Sequence, residues 1–305
     1  MSNARLLSLT LERFKSYEQA TEIPLSPVTV VLGRNNSGKS SIIQALLLLK
    51  QTLALPRPEV PLHLQGALFE ALHLREITSG WPAAGPDVPG PRIGIRWVSL
   101  INREPIETKL VLDYAEQGER TVLREIGLVS DKDRRGGYAK HSFTLRRNGE
   151  GGYDCLVGFP EHHANKIRVE LDHFIPYLNI SRGKLGPRSR QRSWYALFRS
   201  VFAEPLEDLK ALLAGFGYLG SMRTPPRTLY NPVPVAPEDI GVSAEDAARL
   251  LYARRSDRVH YPPPLQIEGD EIHVPNGVRS RSLVDAMNDV LQALGVDASL
   301  RIEDL

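Results

Sequence analysis

The chain has 305 residues, 42% of them hydrophobic and 24% charged, the balance of a globular protein with room for one large domain or two ordinary ones. A formal net charge of +2 is too small to argue for a nucleic-acid partner by itself, and no apolar run approaches the ~18 residues that a membrane span needs. The single cysteine, Cys155, excludes a disulfide scaffold and points to a reducing, cytoplasmic compartment.

Leu6 to Phe14 alternates apolar and polar residues and reads as a half-exposed strand. Lys15-Ser16-Tyr17-Glu18 is a turn, with Gln19 to Ile23 returning as the second strand of a hairpin. Val28 to Leu32 is a β-branched apolar run, long enough for a buried strand. Gly33-Arg34-Asn35-Asn36-Ser37-Gly38-Lys39-Ser40 comes next, followed at once by an apolar helical pattern from Ser41 to Leu53. This is G-x-x-x-x-G-K-[ST] between a strand and a helix, the setting that a phosphate loop requires.

The chemistry explains the spacing. Glycines at both ends let the backbone wrap closely, so successive N–H groups converge on an anion, and the helix N-terminus adds its dipole. Lys39 is placed to reach the β- and γ-phosphates, and the Ser40 hydroxyl to hold Mg²⁺. Asn35 and Asn36 stand where the loop turns tightly, which Asn tolerates, while Ser37 and Ser41 complete the set of candidate contacts.

Pro56 to Pro61 breaks the helix, and Leu62 to Gly66 reads as a short strand and turn. Ser79 to Pro91 is a Pro- and Gly-rich loop. From Arg92 to about Phe159 the pattern is an antiparallel meander: Ile93–Val98, Glu107–Asp113, Thr121–Val129, His141–Arg146 and Tyr153–Val157. His162 to Phe216 turns helical, including Pro205–Leu213, and its middle is strongly basic. Arg182, Lys184, Arg188, Arg190 and Arg192 lie there with Trp194 and Tyr195, a combination that could track a phosphate backbone and stack bases. A solvated basic loop is the plainer reading. Tyr218 to Arg227 reads as a strand into a turn, Ser243 to Ala253 as a helix, Arg254 to Pro264 as a loop and Ile267 to Val274 as a hairpin. Ser282 to Leu294 is an amphipathic helix, and Ser299 to Leu305 begins a strand-like run.

Hydrolysis normally needs a second apolar strand ending in acid residues, and no run of four apolar residues followed by Asp-Glu occurs. Leu110-Val111-Leu112-Asp113 is the nearest match, with Tyr114 at the glutamate position. The histidines have no metal-ligand spacing, and no nucleophile elbow is present. A small-molecule kinase is disfavoured by an antiparallel lobe so soon after the first helix.

The segment Leu6–Leu53 resembles the opening of ABC-type ATPases of the SMC-like branch, and more closely the predicted ATPases near the overcoming-lysogenization-defect (OLD) proteins of antiphage defence. Phe14-Lys15-Ser16-Tyr17 and Gly33 to Ser40 carry the resemblance, with Tyr218-Leu219-Gly220, Arg223 and Arg227 as further support. It implies an α/β fold: an ABC-ATPase-like P-loop NTPase head with an antiparallel β lobe and an inserted helical arm, without the C-terminal half of the ATPase core. Residues 1–160 would be the P-loop lobe, 161–216 the basic arm and 217–305 an incomplete return to the ATPase lobe. The resemblance also implies ATP and Mg²⁺, head-to-tail dimers, Arg13 or Lys15 near the nucleotide, and Gln65 as Q-loop glutamine. Activity would be ATP hydrolysis in DNA maintenance or antiphage defence, with DNA or a nuclease or toxin as partner. The alternative is a non-hydrolysing nucleotide-binding module whose partner chain supplies the signature motif and the Walker B acids.

Overall fold

A computed structural model describes residues 4–81, 88–132, 138–149, 152–157, 169–178, 198–220, 225, 240–241, 243–261, 263, 266–268, 271–273 and 277–302. They fall into two compact units, Met1–Phe216 and Gly217–Leu305.

The first unit is built on a seven-stranded antiparallel sheet. Its strands are β1 (Arg5–Glu12), β2 (Thr21–Pro24), β3 (Val88–Ile101), β4 (Glu104–Gln117), β5 (Arg120–Lys132), β6 (Tyr138–Arg147) and β7 (Tyr153–Val157), in the spatial order β2-β1-β3-β4-β5-β6-β7. The N-terminal hairpin therefore joins the meander: β1 pairs with β2 on one edge and, from Arg5↔Val98 to Glu12↔Arg92, with β3 on the other. Alternation sets one face inward, where Leu9, Leu11, Ile93, Ile95, Trp97, Leu110, Leu112, Leu128 and Leu145 are buried. Strand β3 begins at Val88, inside the span read as a loop. Its Pro89–Arg92 stretch is a register shift, and a Cβ on Gly90 would stand 2.7 Å from Leu74 and 3.0 Å from the Tyr114 carbonyl.

Helix α1 (Lys39–Leu53) covers this core with Ile42, Ala45, Leu46, Leu48 and Leu49. A π-helical turn, Arg199–Ala203, leads into α2 (Glu204–Ala214), which adds Leu206, Leu209 and Leu213 to the Phe198 and Phe202 that precede it. Phe143, Phe198 and Phe202 form a tilted aromatic trio, and the Trp97 indole N–H donates to the Pro205 carbonyl at 3.0 Å.

The helical reading of 162–216 is corrected over residues 169–178. Val169–Asp172 (β8) and Ile175–Leu178 (β9) form a hairpin whose turn places His173 at φ 59°, and Val169, Phe174 and Ile175 are buried. Alternation over so short a span is hidden by the helical run that follows. The expected strand at Leu62–Gly66 reduces to one bridge, Gln65↔Glu70.

In the second unit, Arg258–Tyr261 (β10) pairs with Arg279–Ser282 (β13), correcting the loop reading of that stretch. Gln266–Glu268 (β11) and Glu271–His273 (β12) form the anticipated hairpin. Helix α3 covers only Ala247–Ala253, because Ala244 at φ 59° cannot extend it backwards. Helix α4 (Leu283–Ala293) is capped by Ser282, whose hydroxyl accepts from the Asp285 N–H. Asp289 on α4 accepts from Tyr261, Arg279 and Arg281, tying the helix to both strands. Residues 218–220 and 299–302 form no strand. Among the described residues no helix is long and apolar enough to cross a membrane.

Candidate nucleotide site

The loop Gly33–Ser40 joins an extended segment to α1. Gly38 is the residue before the helix and is left-handed, with φ 91° and ψ 5°. Asn36 is left-handed too, at φ 63°. A Cβ on Gly33 would lie 2.6 Å from the Ser37 hydroxyl oxygen, and one on Gly38 would lie 3.0 Å from Cε2 of Tyr17. Gly38 is therefore required by its left-handed backbone, whereas a side chain at Gly33 would displace the Ser37 hydroxyl; both fit a backbone wrapped closely enough to cradle phosphate. The Lys39 ammonium donates to the carbonyls of Gly33 at 2.8 Å and Arg34 at 2.6 Å, spanning the mouth of its own loop. Phosphate oxygens are stronger acceptors than neutral carbonyls, so these donors can be handed over to an anion without moving the lysine far. Ser40 is exposed, free to reach a cation, whereas Ser41 is buried and its N–H bonds the Gly38 carbonyl at 3.0 Å. Asn35, Asn36 and Ser37 are exposed around the rim.

Arg13 and Lys15 stand on either side of the buried Phe14 in the hairpin turn, both with positive φ, 52° and 50°. The Arg13 guanidinium is committed to the sheet: Nε donates to the Gly90 carbonyl at 2.9 Å, and the terminal nitrogens meet Glu12 at 2.5 Å and Asp113 at 3.2 Å. Lys15 instead donates to Gln44 of α1 at 2.8 Å and lies over the Phe69 ring, where burial lowers the pKa of its ammonium. Gln44 is one turn after Ser40 and so shares its helix face, which brings Lys15, of the two, to the helix that carries the phosphate loop. Gln65 is exposed in the bridge to Glu70 and makes no described bond to the loop.

Sequence reasoning missed two contributors. Tyr17 packs its ring edge on Gly38 and its hydroxyl lies 3.4 Å from the Gly38 carbonyl, with Ser16 beside it. The available signal is an aromatic in the hairpin turn, two positions after the basic Lys15. Gln51 is buried and donates to the His63 and Phe69 carbonyls while accepting from the Phe69 N–H, organising the segment after the helix. Asp113, the nearest match to a Walker B acid, is fully used by Arg13 and Arg124 at 3.2 and 2.6 Å.

The main departure from expectation lies just before the loop. Val28–Leu32 is not a buried strand: Val28, Val30 and Leu32 are 81%, 75% and 87% exposed, and among the described residues no backbone hydrogen bond reaches this run. Its pattern asks for strands on both sides, and the described residues place none there.

Residues 5–80 match the AAA ATPase domain family. They are the opening of an SMC-like P-loop ATPase domain. The chain is also 47% identical over 49 residues to the DNA replication and repair protein RecF of Caulobacter sp. (strain K31), a stretch covering 16% of this chain and 12% of that protein. No solved structure matches. The ATPase resemblance thus rests on the hairpin, the phosphate loop and α1. The basic set Arg182, Lys184, Arg188, Arg190 and Arg192, with Arg223 and Arg227, lies outside the described residues. Among those described, no group of His, Cys, Asp and Glu is arranged to hold a metal.

Proposed function

We propose that this chain is the ATP-binding part of an SMC-like ATPase acting in DNA maintenance, with Mg²⁺ held at Ser40 and phosphate at Gly33–Ser41. The observation that carries it is the phosphate loop itself, with a left-handed glycine, Gly38, at the helix start and a lysine spanning the loop mouth. The similarity to RecF supports the DNA setting, and the single cysteine supports a reducing cytoplasm. Purified protein is expected to bind the fluorescent nucleotide mant-ATP with Mg²⁺, and Lys39→Ala to abolish it. Binding that survives Lys39→Ala would sink the reading.

A second reading is favoured by the bare run Val28–Leu32 and by the full use of Asp113 within the sheet. The acids that position water come from elsewhere in the working assembly, either a partner chain or a second copy, and nucleotide controls the association. Burying each of those valine and leucine side chains is worth roughly 1.5–3 kcal/mol, a large reserve for assembly. The 305-residue chain alone then turns ATP over negligibly. Robust steady-state hydrolysis lost on Lys39→Ala would refute this. A role in antiphage defence, with a nuclease or toxin as the partner, rests on the OLD-like resemblance and predicts ATP-dependent co-elution with such a protein.

A further inference from the structure

The hairpin turn that touches the phosphate loop is itself under strain, and the source of its restraint lies in the middle of the sheet. Arg13 and Lys15 both adopt left-handed backbone, which costs a non-glycine residue about 1–2 kcal/mol each. Such conformations persist only where the surroundings over-determine them. Here the Arg13 N–H donates to the Glu18 carbonyl at 3.3 Å and the Lys15 N–H to the Ile77 carbonyl at 2.8 Å. The Arg13 carbonyl accepts from Ser79 at 3.0 Å, and Phe14 and Tyr17 exchange backbone bonds at 3.0 and 2.9 Å. The side chain of Arg13 adds three further bonds, of which the longest in sequence runs to Asp113 on β4, the central strand of the seven. The other end of the turn presents Ser16 and Tyr17 to Gly38, at 3.2 and 3.0 Å from where a Cβ would be.

We infer that Asp113 is a positioning residue for nucleotide binding, acting through Arg13 and the Ser16–Tyr17 turn on the left-handed Gly38 that joins the phosphate loop to its helix. Asp113 holds the guanidinium, the guanidinium fixes the start of the turn, and the turn wedges the Tyr17 ring against Gly38, whose left-handed backbone joins the loop to the helix. The charge suits that role, because a carboxylate 9% exposed and shared between Arg13 and Arg124 is held in one orientation on both oxygens. Coupling is reciprocal, so a loop filled by phosphate also stiffens the turn and its hold on β4.

This inference rests on the loop binding nucleotide, and the experiment separates the two. Mant-ATP–Mg²⁺ affinity is measured for the full chain and for Asp113→Asn, Tyr17→Ala, Tyr17→Phe and Leu128→Ala, at a temperature where each is folded. Asp113→Asn and Tyr17→Ala are expected to bind tenfold or more weakly. Tyr17→Phe should stay within threefold, because the ring edge rather than the long hydroxyl bond makes the contact. Leu128→Ala, which empties buried volume in β5 without touching the turn, should lose stability but keep its affinity. Asp113→Asn and Tyr17→Ala binding like the unaltered chain, or Leu128→Ala weakening binding as much as they do, overturns the positioning role. An unaltered chain that fails to bind mant-ATP overturns the nucleotide reading and this one with it. If Asp113→Asn does not fold, Asp113→Glu, which keeps the charge but shifts the carboxylate that holds Arg13, takes its place: weaker binding is expected, and binding like the unaltered chain overturns the role.

Discussion

The β lobe and the segment before the phosphate loop, both within the first unit, follow opposite logics. In the lobe β1 and every strand from β3 to β6 have neighbours on both edges, and the inward face is packed by α1 and α2. Val28–Leu32 carries the same kind of residues and has, among the described residues, neither neighbours nor cover. The difference teaches that apolar β-branched composition specifies a strand only when edges are available to receive it; the lobe closes its own, whereas the phosphate-loop segment leaves its edges open.

The largest effect that would test this comparison is in the lobe. Trp97→Ala removes a fully buried indole and its bond to Pro205, and should cost about 3–5 kcal/mol by denaturant unfolding. Next is Gln51→Ala, which leaves the buried Phe69 N–H without its acceptor; a loss of roughly 2–3 kcal/mol is expected from the same measurement. Alkaline pH gives a third handle. Burial holds the Tyr114 hydroxyl well above its ordinary value of 10.0, so the folded state keeps a proton that the unfolded state releases. Stability is then whole below pH 10.0 and falls above it by about 1.4 kcal/mol per pH unit for this group, and Tyr114→Phe should flatten that fall. The smallest effect belongs to the bare run: Val30→Thr should change the stability of the isolated chain by no more than about 0.5 kcal/mol while reducing its self-association in sedimentation experiments. A core-sized loss there would show that Val30 is already packed.

Much of the first unit was legible from local rules. The hairpin, α1 and the five meander strands follow from period-2 and period-3.6 patterns, with turn residues between them. What sequence could not supply was pairing across distance. That β1 would sit between β2 and β3 depends on Arg5–Glu12 meeting Arg92–Val98, and nothing in either segment names the other. The same limit hid the reach of Arg13 to Asp113, a hundred positions on. In the site, the glycines and Lys39 were legible because their spacing is fixed by the anion. Tyr17 was not, because a packing contact on Gly38 leaves no spacing rule. The β8–β9 hairpin was missed because four-residue strands fall below the window in which alternation can be told from helix.

The placement of β1 has a consequence for the order in which the protein is made. Its β2 edge is satisfied within a dozen residues, but its β3 edge waits for Arg92–Val98. At synthesis rates of about 5–20 residues per second, that is a delay of roughly 4–16 s after β1 emerges. The phosphate loop and its helix leave the ribosome during that interval, before the sheet that will anchor Arg13 exists. Nascent chains should therefore acquire nucleotide affinity only once β4 has been translated, which stalled ribosome complexes of increasing length can time directly.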